Sequence, residues 1–292
     1  MDKSVQRVGI VGAGTMGREI ALQIALAGLD TVIYDSSPMQ LEALPQLLRK
    51  RIEPLQNMGG QGLSQVQIDE ALGRLTITGR LEDLAEVDLI SESVFEELAV
   101  KQTVWSELGA ICASHTLFTT NTSSLAPSSY AQATGRPDRF AAMHFHLPIE
   151  VNRIVDVMTN GKTSVRTMDQ VQAFVEKIGM IPIRIEKESP AYLFNAMLIG
   201  YMREAIKLLV NEIGSKEDID QVWTSITGVG AGPFVSMDYV GIDTVWRIIH
   251  GIAEREQDDK LKKCADYLKQ MVDAGKLGMK TGSGFYDYPE LP

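Results

Sequence analysis

Residues Arg7 to Asp35 read RVGIVGAGTMGREIALQIALAGLDTVIYD. Val8, Gly9, Ile10 and Val11 predict a short buried strand. Gly12, Gly14 and Gly17 follow at once in GxGxxG spacing. Ile20 with Ile24, and Ala21 with Ala25, then repeat at helical spacing until Gly28 stops the run. Thr31 to Tyr34 is a second apolar strand, closed by Asp35. Strand, glycine turn, helix, strand and terminal acid in this order form the opening of a dinucleotide-binding fold.

Each residue type in that unit has a physical task. Gly12 permits the tight turn, Gly14 leaves the backbone bare for a pyrophosphate, and Gly17 lets the helix lie close to the sheet. The free amides of the helix start, at Thr15 and Met16, face the phosphates. Asp35 at the end of the second strand accepts hydrogen bonds from a ribose diol and repels a 2′-phosphate. Ser36 and Ser37 follow it where an arginine would be needed, so NAD is expected over NADP.

A chain of 292 residues that is 45% apolar has enough material for one large domain or two ordinary ones. With 28 basic against 38 acidic residues the net charge is −10, and no basic stripe suggests a nucleic-acid partner. Cys112 and Cys264 show no metal or redox spacing and read as reduced thiols of a cytoplasmic protein; no metal ligand set is expected. The cofactor strand opens at Val8, which leaves no room for a signal peptide ahead of it. The uncharged run Ser189 to Met202 is too short to span a bilayer and contains Asn195, so no membrane partner is expected.

Downstream, Ser37-Pro38 reads as the cap and first position of a helix bent at Pro45 and running to about Met58. A loop at Asn57–Gly62 and a short helix from Ser64 to Gly73 follow. Arg49, Lys50 and Arg51 lie on the first helix, as a solvated face or as a landing site for ligand phosphates. Strands are expected at Leu75–Thr78, Val87–Ile90, Thr116–Thr120, Phe140–Phe145, Ile154–Met158 and Ile181–Ile185, with helices between most of them. That alternation predicts an α/β, Rossmann-type, doubly wound and mostly parallel sheet over residues 1–187. Polar groups gather at strand ends in Ser91–Glu97 and in Asn121-Thr122-Ser123-Ser124, where such sheets bind ligands.

From 188 to 292 the pattern is all helical. Ser189-Pro190 reads as the cap of a helix reaching about Ile213, apolar nearly all round and therefore expected to be buried in its domain or in a subunit interface. Ser215 caps the next helix, Gly228–Pro233 reads as a connection, and two more helices fall near Thr244–Ile252 and Asp258–Ala274.

Of the four histidines, His144 lies near a strand end with a candidate carboxylate partner, Asp156, on the adjoining strand. A histidine fixed by a carboxylate is the general acid/base that alcohol and ketone interconversion by hydride transfer needs. His146 is its internal competitor, since an offset of two residues keeps it on the same strand face.

The stretches GIVGAGTMG, DLISESVFEELAVKQ, TTNTSSLAPS, RFAAMHFHLP, IVDVM, ESPAYLFNAML, SKEDIDQ, GPFVSMDYVGIDT and KTGSGFYDY resemble, in order and spacing, the L-3-hydroxyacyl-CoA dehydrogenase family over essentially the whole chain. The resemblance implies NAD-dependent oxidation of a 3-hydroxyacyl-CoA thioester to the 3-keto form, in fatty-acid and butanoate metabolism, by a homodimer formed through the helical domain. It places His144 on the catalytic base and Asp156 on its carboxylate partner. Ser123 and Asn195 fall on the groups holding the substrate's oxygens. Glu96, Lys101, Asn121, Ser123 and Lys280 fall with the glycine turn and Asp35 on cofactor contacts.

Three motifs depart from the family pattern. Asp156 stands where Glu is usual, a reach shorter by roughly 1.5 Å. The HFFNP motif reads His144-Phe145-His146-Leu147-Pro148, and the Asn-Arg pair of the second domain reads Asn195-Ala196. CoA-contacting residues have no clear match. A short acyl chain is expected. The alternatives are a dehydrogenase of a free 3-hydroxy acid, of the sugar-acid or carnitine type, and a non-catalytic NAD-binding protein.

Overall fold

The computed structural model describes residues 5–57 and 62–288. The chain divides into two compact units between Tyr192 and Leu193. The first carries eight strands: β1 Arg7–Val11, β2 Asp30–Tyr34, β3 Leu75–Thr78, β4 Leu89–Glu92, β5 Leu117–Thr120, β6 Phe140–Phe145, β7 Ile154–Thr159 and β8 Ile181–Ile185. Its helices are α1 Thr15–Leu26, α2 Pro38–Ile52, α3 Gln65–Gly73, α4 Leu98–Ile111 and α5 Val165–Lys177. The strands form one sheet in the order β3-β2-β1-β4-β5-β6-β7-β8. All neighbours are parallel except β6 and β7, which run antiparallel.

Apolar side chains leave both faces of this sheet. One face packs Ile20 and Ile24 of α1 and Val171 and Phe174 of α5 against Val8, Ile10 and Phe145. The other buries Trp105 of α4 with Phe118, Phe140 and Tyr130. The order reverses on either side of β1, so the loops after β1 and β4 lie at the switch point where doubly wound sheets take their ligands.

Local chemistry explains the helix ends. Ser37, Ser64 and Ser164 each accept an amide of the first turn of α2, α3 and α5. Pro45 lies inside α2 without ending it, and residues 53–57 continue as a 3₁₀ turn. Of the loop expected at Asn57–Gly62, residues 58–61 lie outside the described residues. β4 starts two residues later than Val87, because Asp88 Oδ2 accepts the amides of Gln6 and Arg7 ahead of the strand. That shift places Glu92, fully buried, inside the strand.

The second unit holds α6 Phe194–Val210, α7 Lys216–Thr227, α8 Pro233–Val240, α9 Ile242–Glu256 and α10 Asp259–Asp273. Its core joins Met202, Ile206, Phe234, Met237, Ile249 and Leu268. Ser189-Pro190 does not cap α6. Ala191 and Tyr192 are left-handed, at φ 66° and 55°, and α6 starts only at Phe194. Nor is α6 buried all round: Met202, Ala205 and Ile206 are covered, whereas Phe194, Met197 and Leu208 are exposed. α8 follows the glycine connection with its amides at Phe234 and Val235 held by Asp220, a cap supplied from α7. A second buried carboxylate, Asp238, accepts the amides of Phe285 and Tyr286 and the Tyr288 hydroxyl, tying down the aromatic tail. Among the described residues no helix is long and apolar enough to cross a membrane.

Candidate active site

The glycine turn leaves a shaped gap at the switch point. Gly12 has φ +101°, and a Cβ there would lie 2.7 Å from the Ser93 carbonyl oxygen of the neighbouring loop. A Cβ on Gly17 would lie 1.8 Å from the Gly12 carbonyl oxygen, so α1 packs directly on the turn. A Cβ on Gly14 meets nothing within 4 Å; that open space lies in front of the start of α1. No side chain caps α1, and the first-turn amides of Thr15, Met16 and Gly17 have no partner within the helix. Asp35 stands at the end of β2 and accepts the amides of Ala13 and Ser37 at 2.8 Å, one on each carboxylate oxygen. Each oxygen keeps a further lone pair for a ribose hydroxyl. Bare backbone, a positive helix end and an acid at this spacing fit NAD.

The antiparallel β6–β7 pair sets His144 directly opposite Asp156. His144 Nδ1 lies 3.3 Å from Asp156 Oδ2, and His144 Nε2 lies 3.1 Å from Ser123 Oγ. An ionised carboxylate only accepts, so Nδ1 carries the proton and Nε2 is left with its lone pair toward Ser123. His146, two residues along the same face, donates Nε2–H to the same Asp156 oxygen at 2.9 Å. Burial alone would raise the Asp156 carboxyl, but the hydrogen bonds from His144 and His146 outweigh it and hold it below the ordinary value. His115 lies beside Asp88 and His250 stacks on Trp246, so neither joins this cluster.

Tyr192, which sequence reasoning missed, completes the setting. Its ring stacks on the His144 imidazole with centroids 4.3 Å apart and planes 8° off parallel. Its hydroxyl donates to the Thr122 carbonyl at 2.6 Å. Burial pushes this phenol up, so it remains a donor. These contacts hold Tyr192 in the left-handed conformation that delays α6.

The loop bearing Ser123 is shaped by Glu96. One oxygen of that carboxylate accepts the Thr122 hydroxyl at 2.5 Å, the Ser123 and Ser124 amides at 2.9 Å and the Leu125 amide at 3.3 Å. Burial would raise Glu96, but the Thr122 hydrogen bond and the charge of Lys101 bring it down to about 2. Lys101 is buried, 2.6 Å from Glu92 and 3.2 Å from Glu96, with its charge spent on those carboxylates. Asn121 ties the end of β5 to β6 by accepting the Phe145 amide at 2.8 Å. In the second unit, Asn195 lies in the first turn of α6 and Lys280 pairs with Asp243 at 2.5 Å. Arg51 is not free to receive phosphates, since Glu19 and Glu150 each hold it at 2.5 Å, while Arg49 and Lys50 are exposed.

Residues 7–189 match the NAD-binding domain of 3-hydroxyacyl-CoA dehydrogenase, and residues 192–288 match the C-terminal domain of the same enzymes. The chain belongs to the 3-hydroxyacyl-CoA dehydrogenase family. It is 34% identical to human mitochondrial hydroxyacyl-coenzyme A dehydrogenase over 292 residues, covering 97% of this chain and 91% of that protein. The structure of the (S)-3-hydroxybutyryl-CoA dehydrogenase PaaH1 from Ralstonia eutropha matches with a TM-score of 0.90 and 31% identity, over 98% of this chain and all of the other. A diketoreductase described by its substrate-directed dual catalysis of dicarbonyl compounds matches with a TM-score of 0.90 and 33% identity, over the same shares of the two chains. As a 3-hydroxyacyl-CoA dehydrogenase family member the protein is an NAD-dependent oxidoreductase.

Gly14→Ala will leave thermal stability unchanged and weaken NADH binding about tenfold in a fluorescence titration, while Gly17→Ala will lose more than about 2 kcal/mol of unfolding free energy. Glu96→Gln will lower Tm. Because the folded carboxyl lies below its ordinary 4.5, the Tm gap is full above that pH and closes as pH falls toward about 2.

Proposed function

We propose that this family member interconverts short-chain L-3-hydroxyacyl-CoA and 3-ketoacyl-CoA, with His144 as general acid/base oriented by Asp156. The observation that carries the reading is the line Asp156–His144–Ser123: carboxylate on Nδ1 and a hydroxyl 3.1 Å from Nε2. In the oxidative direction His144 Nε2 takes the proton of the C3 hydroxyl, and Asp156 stabilises the imidazolium that results. In reduction the same nitrogen returns the proton to the forming alkoxide. Bound NAD supplies the hydride acceptor. Ser123, and Asn195 by its place in the family pattern, hold the substrate's oxygens. Gly12, Gly14, Thr15, Met16, Gly17, Asp35, Glu96, Lys101, Asn121 and Ser123 make up the cofactor set, with Lys101 and Glu96 acting by shaping the Ser123 loop; Lys280 is assigned to it by its place in the family pattern alone.

A homodimer through the helical unit is supported by its exposed apolar residues, Phe194 and Met197 on α6 and Val222, Trp223 and Ile226 on α7. Reduced, buried Cys112 and Cys264 suit a cytoplasmic enzyme of fatty-acid and butanoate metabolism. A second reading, reduction of a free 3-keto acid or dicarbonyl without CoA, is favoured by Leu147, Ala196 and the likeness to the diketoreductase.

NADH oxidation with acetoacetyl-CoA, beside free acetoacetate, separates the two. The thioester will turn over and free acetoacetate will not, and His144→Ala will reduce kcat by about 10²–10⁴-fold. Turnover of free acetoacetate alone would establish the second reading.

A further inference from the structure

His146 and Asp156 are two of the positions where this chain leaves the family pattern, and the structure brings their side chains together. The two lone pairs of Asp156 Oδ2 are both engaged, one by His146 at 2.9 Å and one by His144 at 3.3 Å. The nearer imidazole is the one on the proposed base's neighbour, not the proposed base itself. The His144 and His146 rings meet edge-on with centroids 4.6 Å apart. Asp156 is a methylene shorter than Glu, and a phenyl ring at 146 would offer it no donor. We propose that His146 is a positioning residue that clamps the short Asp156 carboxylate in the place from which it orients His144. This rests on His144 being the general base.

The groups around the clamp are few. β6 presents His144, the residue just past its end is His146, and β7 presents Asp156. On β8, Ile183 lies beside Asp156, and the next residue, Arg184, is held by Asp169 and Glu186. The segment after β8 brings Tyr192 onto His144, and Tyr192 in turn senses the charges of Asp156, Glu96 and Glu188. Ser123 faces His144 from the loop after β5. The His146 side chain is partly exposed, at 17%, against 5% for the side chain of His144 and 3% for that of Asp156. A proton on His146 places a positive charge beside His144 and opposes protonation there; removing the ring removes that charge and frees an Asp156 lone pair for His144.

The test is the pH dependence of NAD reduction with 3-hydroxybutyryl-CoA for the full-length protein and five variants: His146→Phe, His146→Gln, Asp156→Glu, the double variant His146→Phe/Asp156→Glu, and His144→Ala as reference. His146→Phe is expected to lower kcat about tenfold with KM little changed. It is also expected to move the acid limb of kcat/KM to higher pH by about half a unit to one unit. His146→Gln keeps a donor and will retain kcat within about threefold of the parent. Asp156→Glu in the His146→Phe background restores reach and will recover most of the lost rate, so the two substitutions will be strongly non-additive. Should His146→Phe fail to fold, the double variant carries the same test, since restored reach at 156 is expected to bring back both folding and rate. An unchanged kcat and acid limb in His146→Phe, or additive effects in the cycle, would overturn the proposal while leaving His144 as base. Parental activity in His144→Ala would overturn both.

Discussion

A buried carboxylate must be paired, and Asp156 is 2% exposed in the interior of a sheet. Its partners are two imidazoles, one on the neighbouring strand and one just past its end, brought opposite by the one antiparallel pairing among the described strands. A parallel strand would have entered this position from the other end. The reversal between β6 and β7 is what lets residues twelve apart in sequence share one side-chain contact. His144 is thereby fixed in rotation and tautomer before any substrate arrives, which is the preorganisation an acid/base catalyst needs.

One buried charge cluster and one stacked phenol support that arrangement. Glu92, Lys101 and Glu96 run from the buried end of β4 to the loop after β5, and the last of them gathers the hydroxyl and amides that shape residues 122–125. Ser123 reaches His144 because of that gathering. Tyr192 closes the imidazole from its face while bonding the backbone of the same loop. Strand ends, a loop shaped by Glu96 and a stacked phenol thus meet at the His144 ring. In the second unit, Asp220 and Asp238 play a comparable structural part, each holding backbone amides that no neighbouring turn satisfies.

The unit from β1 to β2 was legible in the sequence because its demands are local: only glycine fits at 12 and 17, and the strands and helix have clear periods. His144 and Asp156 were legible as a pair because adjoining strands twelve residues apart restrict their separation. What escaped the sequence depends on distant contacts. α8 has its cap on α7, at Asp220, so its start reads as a glycine connection. α6 begins late because Tyr192 is held by His144 and Thr122, which no pattern around Ser189 discloses. The nearer approach of His146 to Asp156 is likewise a matter of fractions of an ångström. Arg51 looked available to a ligand until folding placed Glu19 and Glu150 against it.

The central claim is that Asp156 fixes His144 with its proton on Nδ1, leaving Nε2 as the reactive nitrogen. Nitrogen-15 NMR of the imidazole rings above their titration range, assigned to His144 by comparison with His144→Ala, reads this directly. The account predicts that the His144 ring is the Nδ1–H tautomer, with Nε2 showing the shift of an unprotonated, hydrogen-bond-accepting nitrogen. A ring found as the Nε2–H tautomer, or as a freely exchanging mixture of the two, would contradict it.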